Sequence, residues 1–250
     1  MTETQLRRSL FKIAGWGVVA AVLFAGFFAL GSWQVARRAW KLDLIARVDQ
    51  RVHAPPVVTP GRKDWPRINA VDDAYRHVRA TGEFLGEDET LVYASTQLGD
   101  GYWLMTPLRM ANGDIILVNR GFISSDFSAS PAFKALPRPR GQVVITGLLR
   151  LSEPHGGFLR RNQPTAKRWY SRDVAAIAAA DKLPAQVVAP YFIDADALPQ
   201  SGNGPVGGLT VISFYNHHLS YAITWYALAA MTLLGAAILI RYEWQRRSDA

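Results

Sequence analysis

Two adjacent histidines, His217 and His218, lie at the mouth of a long apolar run, where an imidazole could serve as a metal ligand. The stretch reads Asn216-His217-His218-Leu219-Ser220-Tyr221-Ala222-Ile223-Thr224-Trp225-Tyr226. On a helix, His218 shares a face with Tyr221, Ala222, Trp225 and Ala229, while His217 shares one with Ser220, Tyr221 and Thr224. An imidazole with aromatic and small neighbours suits axial ligation of a haem, whose macrocycle needs a flat apolar slot. Ionisable side chains near membrane depth are costly to place and by default suggest function. The competing reading is a pair of interfacial histidines hydrogen-bonded to headgroups and water.

Other chemical signatures are scarce. The sequence holds no G-x-S-x-G elbow, no H-E-x-x-H and no Walker loop, so an enzyme is not expected. A dinucleotide fingerprint, Gly202-x-Gly204-x-x-Gly207, fails on context, because Pro205 interrupts it and no helical pattern follows. Glu87, Asp88 and Glu89 read as a solvated turn, and His53, His77 and His155 stand far apart in the sequence. Arg37, Arg38 and Lys41 follow the first apolar run. Arg37 could meet an anionic carboxylate bidentately, and ordinary anchoring to headgroups is the alternative.

The elements that position these residues are long apolar segments. Residues 13–33 carry no charge over 21 positions, and 220–240 form a second such block. Each matches the roughly 20 helical residues that cross a bilayer. The first block exceeds the h-region of a cleaved signal, about 7–15 residues, although Ala29-Leu30-Gly31 resembles a cleavage site. Basic residues balance around the first block, but none occurs over the 58 residues from Leu183 to Ile240, and Arg241, Arg246 and Arg247 follow at once. Both ends are therefore expected in the cytoplasm and the intervening loop outside it. The expected layout is a cytoplasmic tail at 1–12, spans at 13–33 and 220–240, a periplasmic domain at 34–219 and a second tail at 241–250. A bacterial inner membrane is the simplest home for it.

Composition agrees with a membrane-bound binding protein. Net charge is +8, but 22 Lys and Arg against 17 Asp and Glu are scattered over 34–218, so nucleic acid is not an expected partner. The lipid bilayer is. With no cysteine, the outer domain needs a packed core in place of disulfides, and thiolate metal sites are excluded.

The first helix should extend to about Arg51, with Pro55-Pro56 stopping it and 55–72 acting as a linker. Strands are predicted at 75–81, 90–93, 102–105 (cut off by Pro107), 114–118 after the turn Asn112-Gly113, 142–151, 191–193 and 210–212. One helix fits 172–181 with Ser171 as its N-cap, and 124–141 read as a loop. The expected fold is thus membrane α+β: two transmembrane helices flanking a mostly antiparallel, barrel-like sheet of six to eight strands outside the cytoplasm.

Seven short motifs, in order, resemble the Surfeit locus protein 1 (Shy-like) family. They are Leu30-Gly31-Ser32-Trp33-Gln34 with Arg37, Trp40, Lys41 and Leu44-Ile45; Arg79 to Phe84 with Gly82; Gly101-Tyr102 with Thr106-Pro107-Leu108; and Val118-Asn119-Arg120-Gly121-Phe122. Gly157-Phe158, Asn162 and Pro164 with Trp169-Tyr170-Ser171-Arg172-Asp173 follow, then Gly207-Gly208, then Asn216 to Trp225. The resemblance implies an assembly factor for cytochrome c oxidase that binds haem a and helps place it in the catalytic subunit, with haem a synthase as a further partner. It also implies that the family histidine falls on His218, because His217 replaces the second of two asparagines. The expected site is His218 on the haem iron, with His217, Tyr221, Trp225 and Arg37 around the cofactor. The alternative is a structural scaffold that stabilises oxidase assembly intermediates without a cofactor.

Overall fold

The computed structural model describes residues 3–86, 89–136, 139–154, 156–157, 160–197, 204–210 and 216–248, with side chains described from 11 to 246. The chain separates into two compact units. One is Met1–Ala46 with Ser213–Ala250, and the other is Arg47–Ile212. Helix α1, Glu3–His53, begins in the first unit and runs unbroken into the second. The predicted stop holds: α1 ends just before Pro55-Pro56, where a proline bars the preceding residue from helical geometry. The last helix, α5, covers His218–Ser248. Both helices are long and apolar enough to cross a membrane.

The second unit is a closed barrel. Its strands are β1 Val57–Val58, β2 His77–Phe84, β3 Thr90–Thr96, β4 Gly99–Met110, β5 Ile115–Ser124, β6 Gln142–Leu151 and β7 Val188–Ala195. The order is β1-β2-β6-β7-β5-β4-β3, and an extra β2–β4 pairing closes five of these strands on themselves. Pairing between the strands is mostly antiparallel, with β1–β2 and β5–β7 parallel, and an isolated parallel bridge joins Val92 of β3 to Trp169. Gly82 sits at the closure, paired with Met110 on one side and Val143 on the other. A Cβ there would lie 2.4 Å from the Arg109 carbonyl, so only glycine allows β2 to meet both neighbours.

Two apolar layers explain the strand sequences. The barrel interior holds Val78, Leu108, Ile116, Val118, Leu149, Tyr191 and Ile193. A second cluster lies outside it, where Ile115, Leu117 and Phe192 pack with Val174 and Ile177 of helix α4, Val174–Ala180. Ile115 to Val118 is therefore an unbroken apolar run because that part of β5 is covered on both faces. Burial of the Tyr191 hydroxyl, which donates to the Pro60 carbonyl at 2.7 Å, pushes its pKa well up.

Several local expectations are corrected. Strand β4 runs straight through Pro107. Its carbonyl accepts from Leu85 N–H, so its nitrogen faces the same edge, in the gap where pairing with β3 ends at Met105 and pairing with β2 starts at Leu108. The N-cap of α4 is Asp173, whose carboxylate accepts from Ala176 N–H, rather than Ser171. The 55–72 linker contributes the two residues of β1, and the 124–141 loop holds short helices α2, Ser125–Ala129, and α3, Pro131–Lys134. Of the expected strand at 210–212, residues 211 and 212 lie outside the described residues, as do Glu87, Asp88, His155 and Gly202.

His77 ties together the two connections that leave the barrel. Its Nδ1 lies 2.8 Å from the Ala54 carbonyl, just past α1, and its Nε2 lies 2.9 Å from Asp196 Oδ2, just past β7. Both oxygens only accept, so the arrangement favours a ring that donates from both nitrogens, the imidazolium form. Burial is the largest influence and opposes the charge, but the Asp196 hydrogen bond, the Ala54 carbonyl and the Asp196 charge together outweigh it. The His77 pKa is therefore raised. A raised histidine pKa stabilises the fold fully below the unfolded value of about 6.5, and that contribution is lost as pH rises through the folded pKa. Thermal unfolding of the full chain should show wild type exceeding His77→Ala by more at about pH 6 than at about pH 9. A gap that is constant, or wider in alkali, would show that the ring is held neutral.

Candidate functional site

Within the helical unit, α1 and α5 meet along antiparallel faces near His218. Phe27 stacks on Trp225 with ring centroids 5.9 Å apart, and Phe28 meets Tyr226 at 5.5 Å. Gly31 makes this approach possible, since a Cβ there would lie 2.7 Å from the Tyr226 ring. One residue on, the Ser32 and Tyr226 hydroxyls are 3.1 Å apart.

Above these contacts His218 Nδ1–H donates to Gln34 Oε1 at 2.7 Å. That bond orients the ring, and in the neutral imidazole it would place the proton on Nδ1 and the lone pair on Nε2. An imidazole whose one N–H donates to an oxygen, with the other nitrogen able to give its lone pair to a metal, is the usual form of a histidine ligand. Gln34 and Tyr226 also take part in these contacts, and neither was among the expected site residues. The available signal was Gln34 itself, a polar side chain one residue past the first apolar block.

The other expected site residues separate. Trp225 is half-buried against Phe27, and Tyr221 projects outward, 57% exposed. His217 is exposed, and its carbonyl accepts from Tyr221 N–H in the first turn of α5. Arg37 is exposed with its guanidinium stacked 4.2 Å from the centre of the Trp40 ring, which leaves its N–H edge outward. Ala222 and Ala229 are 2% exposed. They lie on the stripe of α5 that carries His218, Trp225 and Tyr226, so their small side chains serve helix packing and do not frame an open slot.

The barrel carries its own polar centre. Asp194, at the end of β7 and 4% exposed, accepts from Arg150 at 2.9 Å, Arg172 at 2.9 Å, Asn119 at 2.8 Å and Thr210 at 2.9 Å. Glu153 closes the network through both arginines. Phe192 lies under both guanidinium groups. Burial opposes the Arg172 charge, but the Asp194 and Glu153 carboxylates more than restore it and raise its pKa. Two cations against two anions leave no net charge to attract a ligand, so this centre joins β5, β6, β7 and the 204–210 segment.

The class of protein is set by a small closed barrel bracketed in sequence by two long apolar helices, with a histidine at the start of the second. Residues 21–230 match the model of the SURF1 family. Surfeit locus protein 1 of Rattus norvegicus is 34% identical over 221 residues, covering 82% of this chain and 69% of the rat protein. The Homo sapiens protein of that name is 34% identical over 224 residues, covering 82% and 71%, and a SURF1-like protein of Monosiga brevicollis is 35% identical over 222 residues, covering 82% and 80%. The chain belongs to the SURF1 family.

Proposed function

We propose that this protein is a membrane-anchored assembly factor for cytochrome c oxidase that binds haem a through His218 and assists its placement in the catalytic subunit. It acts by holding and presenting, not by catalysis. The observation that carries this reading is the His218–Gln34 hydrogen bond, which orients an imidazole at the end of an apolar helix pair. Haem a, when bound, would supply an iron that takes an imidazole as a ligand. His218 would hold the iron, Tyr221 and Trp225 would flank the macrocycle, and Arg37 would face a propionate. Ala222 and Ala229 are covered by helix packing. That same covered stripe favours the second reading, a scaffold without a cofactor.

Both helices would cross a bacterial inner membrane, with the barrel in the periplasm and both ends in the cytoplasm. The absence of Lys and Arg from Leu183 to Ile240, followed by Arg241, supports this orientation. A fluorescent reporter active only in the cytoplasm should be bright after Ala250 and dark at Gly141. Brightness at Gly141 would reverse the topology. Protein purified from a host that makes haem a should show a Soret band and give haem a in a pyridine haemochrome assay. Colourless, folded protein would leave the scaffold reading.

A further inference from the structure

One face of the barrel presents a cationic and aromatic cleft of about 370 Å³. Its walls include Tyr93 on β3, Tyr102 on β4, Tyr170, and three cations, Arg160, Lys167 and Arg168. Tyr93 meets Tyr102 edge-on with centroids 6.3 Å apart and lies 6.4 Å from Tyr170. The Arg160 guanidinium sits 5.7 Å from the Tyr93 ring centre and 5.4 Å from that of Tyr170.

The loop bearing the cations is held firmly. Gln163 and Arg168 exchange backbone hydrogen bonds at 2.8 and 3.1 Å around a tight turn, with Lys167 in the left-handed region at φ 50°. Asn162 Oδ1 accepts from the N–H groups of both Tyr170 and Ser171, and Trp169 O accepts from Tyr93 N–H, so the loop is pinned to edge strand β3. Left-handed backbone is uncommon for lysine, and here the surrounding hydrogen bonds enforce it. Among the described residues Arg160, Lys167 and Arg168 form no ion pair, although Asp100 lies near enough to raise the Tyr93 pKa by its charge. Between Glu153 and Asp173 the sequence has no acidic residue, while Arg160, Arg161, Lys167 and Arg168 all fall there.

We propose that this cleft is a docking site for an acidic, extended segment of a partner protein. Carboxylates of the segment would meet Arg160, Lys167 and Arg168, and an aromatic or aliphatic side chain between them would enter among the three tyrosines. Tyrosine and arginine dominate the energetics of protein interfaces, and a pre-ordered loop lowers the ordering cost of binding. The excess of positive charge, three cations lining the cleft with Asp100 nearby, selects an acidic partner and speeds encounter. A bilayer surface fits less well, because a concave cleft receives a protruding chain better than a plane of headgroups. The site lies wholly in the barrel unit and does not depend on haem binding.

The test uses the full chain in phosphatidylcholine nanodiscs and a fluorescent synthetic peptide of alternating glutamate and tyrosine. The double variant Arg160→Glu with Arg168→Glu should weaken peptide binding by about tenfold or more. Both side chains are exposed, so the fold should survive, which the unfolding temperature checks. The charge-matched control Arg109→Glu with Arg140→Glu, also exposed, should change it by less than about twofold. Equal losses in both variants would mean attraction to bulk charge alone, and would overturn the site. So would unchanged peptide binding in the first variant, whether or not it loses binding to phosphatidylglycerol vesicles.

Discussion

Replacing the buried Asp194 with alanine is expected to loosen the barrel where β5, β6 and β7 meet. The carboxylate holds two guanidinium groups, an amide and a hydroxyl, and Arg150 and Arg172 are only 19% and 12% exposed. Its removal leaves two half-buried cations sharing Glu153 alone. Breaking a buried ion pair from one side costs about 3–5 kcal/mol, a large part of the roughly 5–15 kcal/mol that holds a typical domain folded. Asp126→Ala, outside any such network among the described residues, should stay within about 0.5 kcal/mol of wild type. Hydrogen exchange on the full chain reads this directly: amides of β5 and β7 should lose protection in Asp194→Ala. Unchanged protection there would mean that the network is not a structural joint.

The second large effect is expected at the helix pair. His218→Ala should remove most bound haem a while the protein still inserts, since one side chain near the membrane edge contributes little to two apolar helices. Gln34→Leu tests how the ligand is prepared. It removes the acceptor for His218 Nδ1–H, so the ring loses its fixed orientation, and a lost outer partner of this kind weakens metal affinity by about 10–100-fold. His217→Ala should have a smaller effect, because its side chain is turned about 100° away. Haem content per protein, measured by pyridine haemochrome assay at equal expression, ranks the three. Equal haem in wild type and His218→Ala would remove the ligand assignment, and a larger loss from His217→Ala would move it one residue.

Much of this architecture is legible in the sequence because local pattern and tertiary context agree. The two apolar blocks sit inside α1 and α5, Asn112-Gly113 turns β4 into β5, and Gln142 to Leu151 is β6 to the residue. Failures occurred where a distant partner decided the outcome. Pro107 reads as a strand breaker, yet its missing N–H falls in a gap between two neighbouring strands that no local window reveals. Ser171 and Asp173 both make good caps by type. Ser171 Oγ instead accepts from the Gly156 N–H and the Asn162 side chain, which leaves the helix to Asp173.

The contacts around the candidate site were legible in part for the same reason. His218 stands out because a histidine beside an apolar helix is costly, and that signal is local. Its partner Gln34 lies 184 residues away on the other helix, and only the fold brings them together. The alanines at 222 and 229 mislead, because small residues in an apolar helix serve close packing as readily as a ligand slot.

The central claim is that haem a reaches the oxidase with the help of His218. The most direct test is the haem a content per catalytic subunit of oxidase purified from cells lacking this protein and complemented with each variant. The account predicts oxidase deficient in haem a without the protein, restored by wild type and by His217→Ala but not by His218→Ala. Fully haem-loaded oxidase from cells carrying only His218→Ala, at normal levels of the variant, would contradict it.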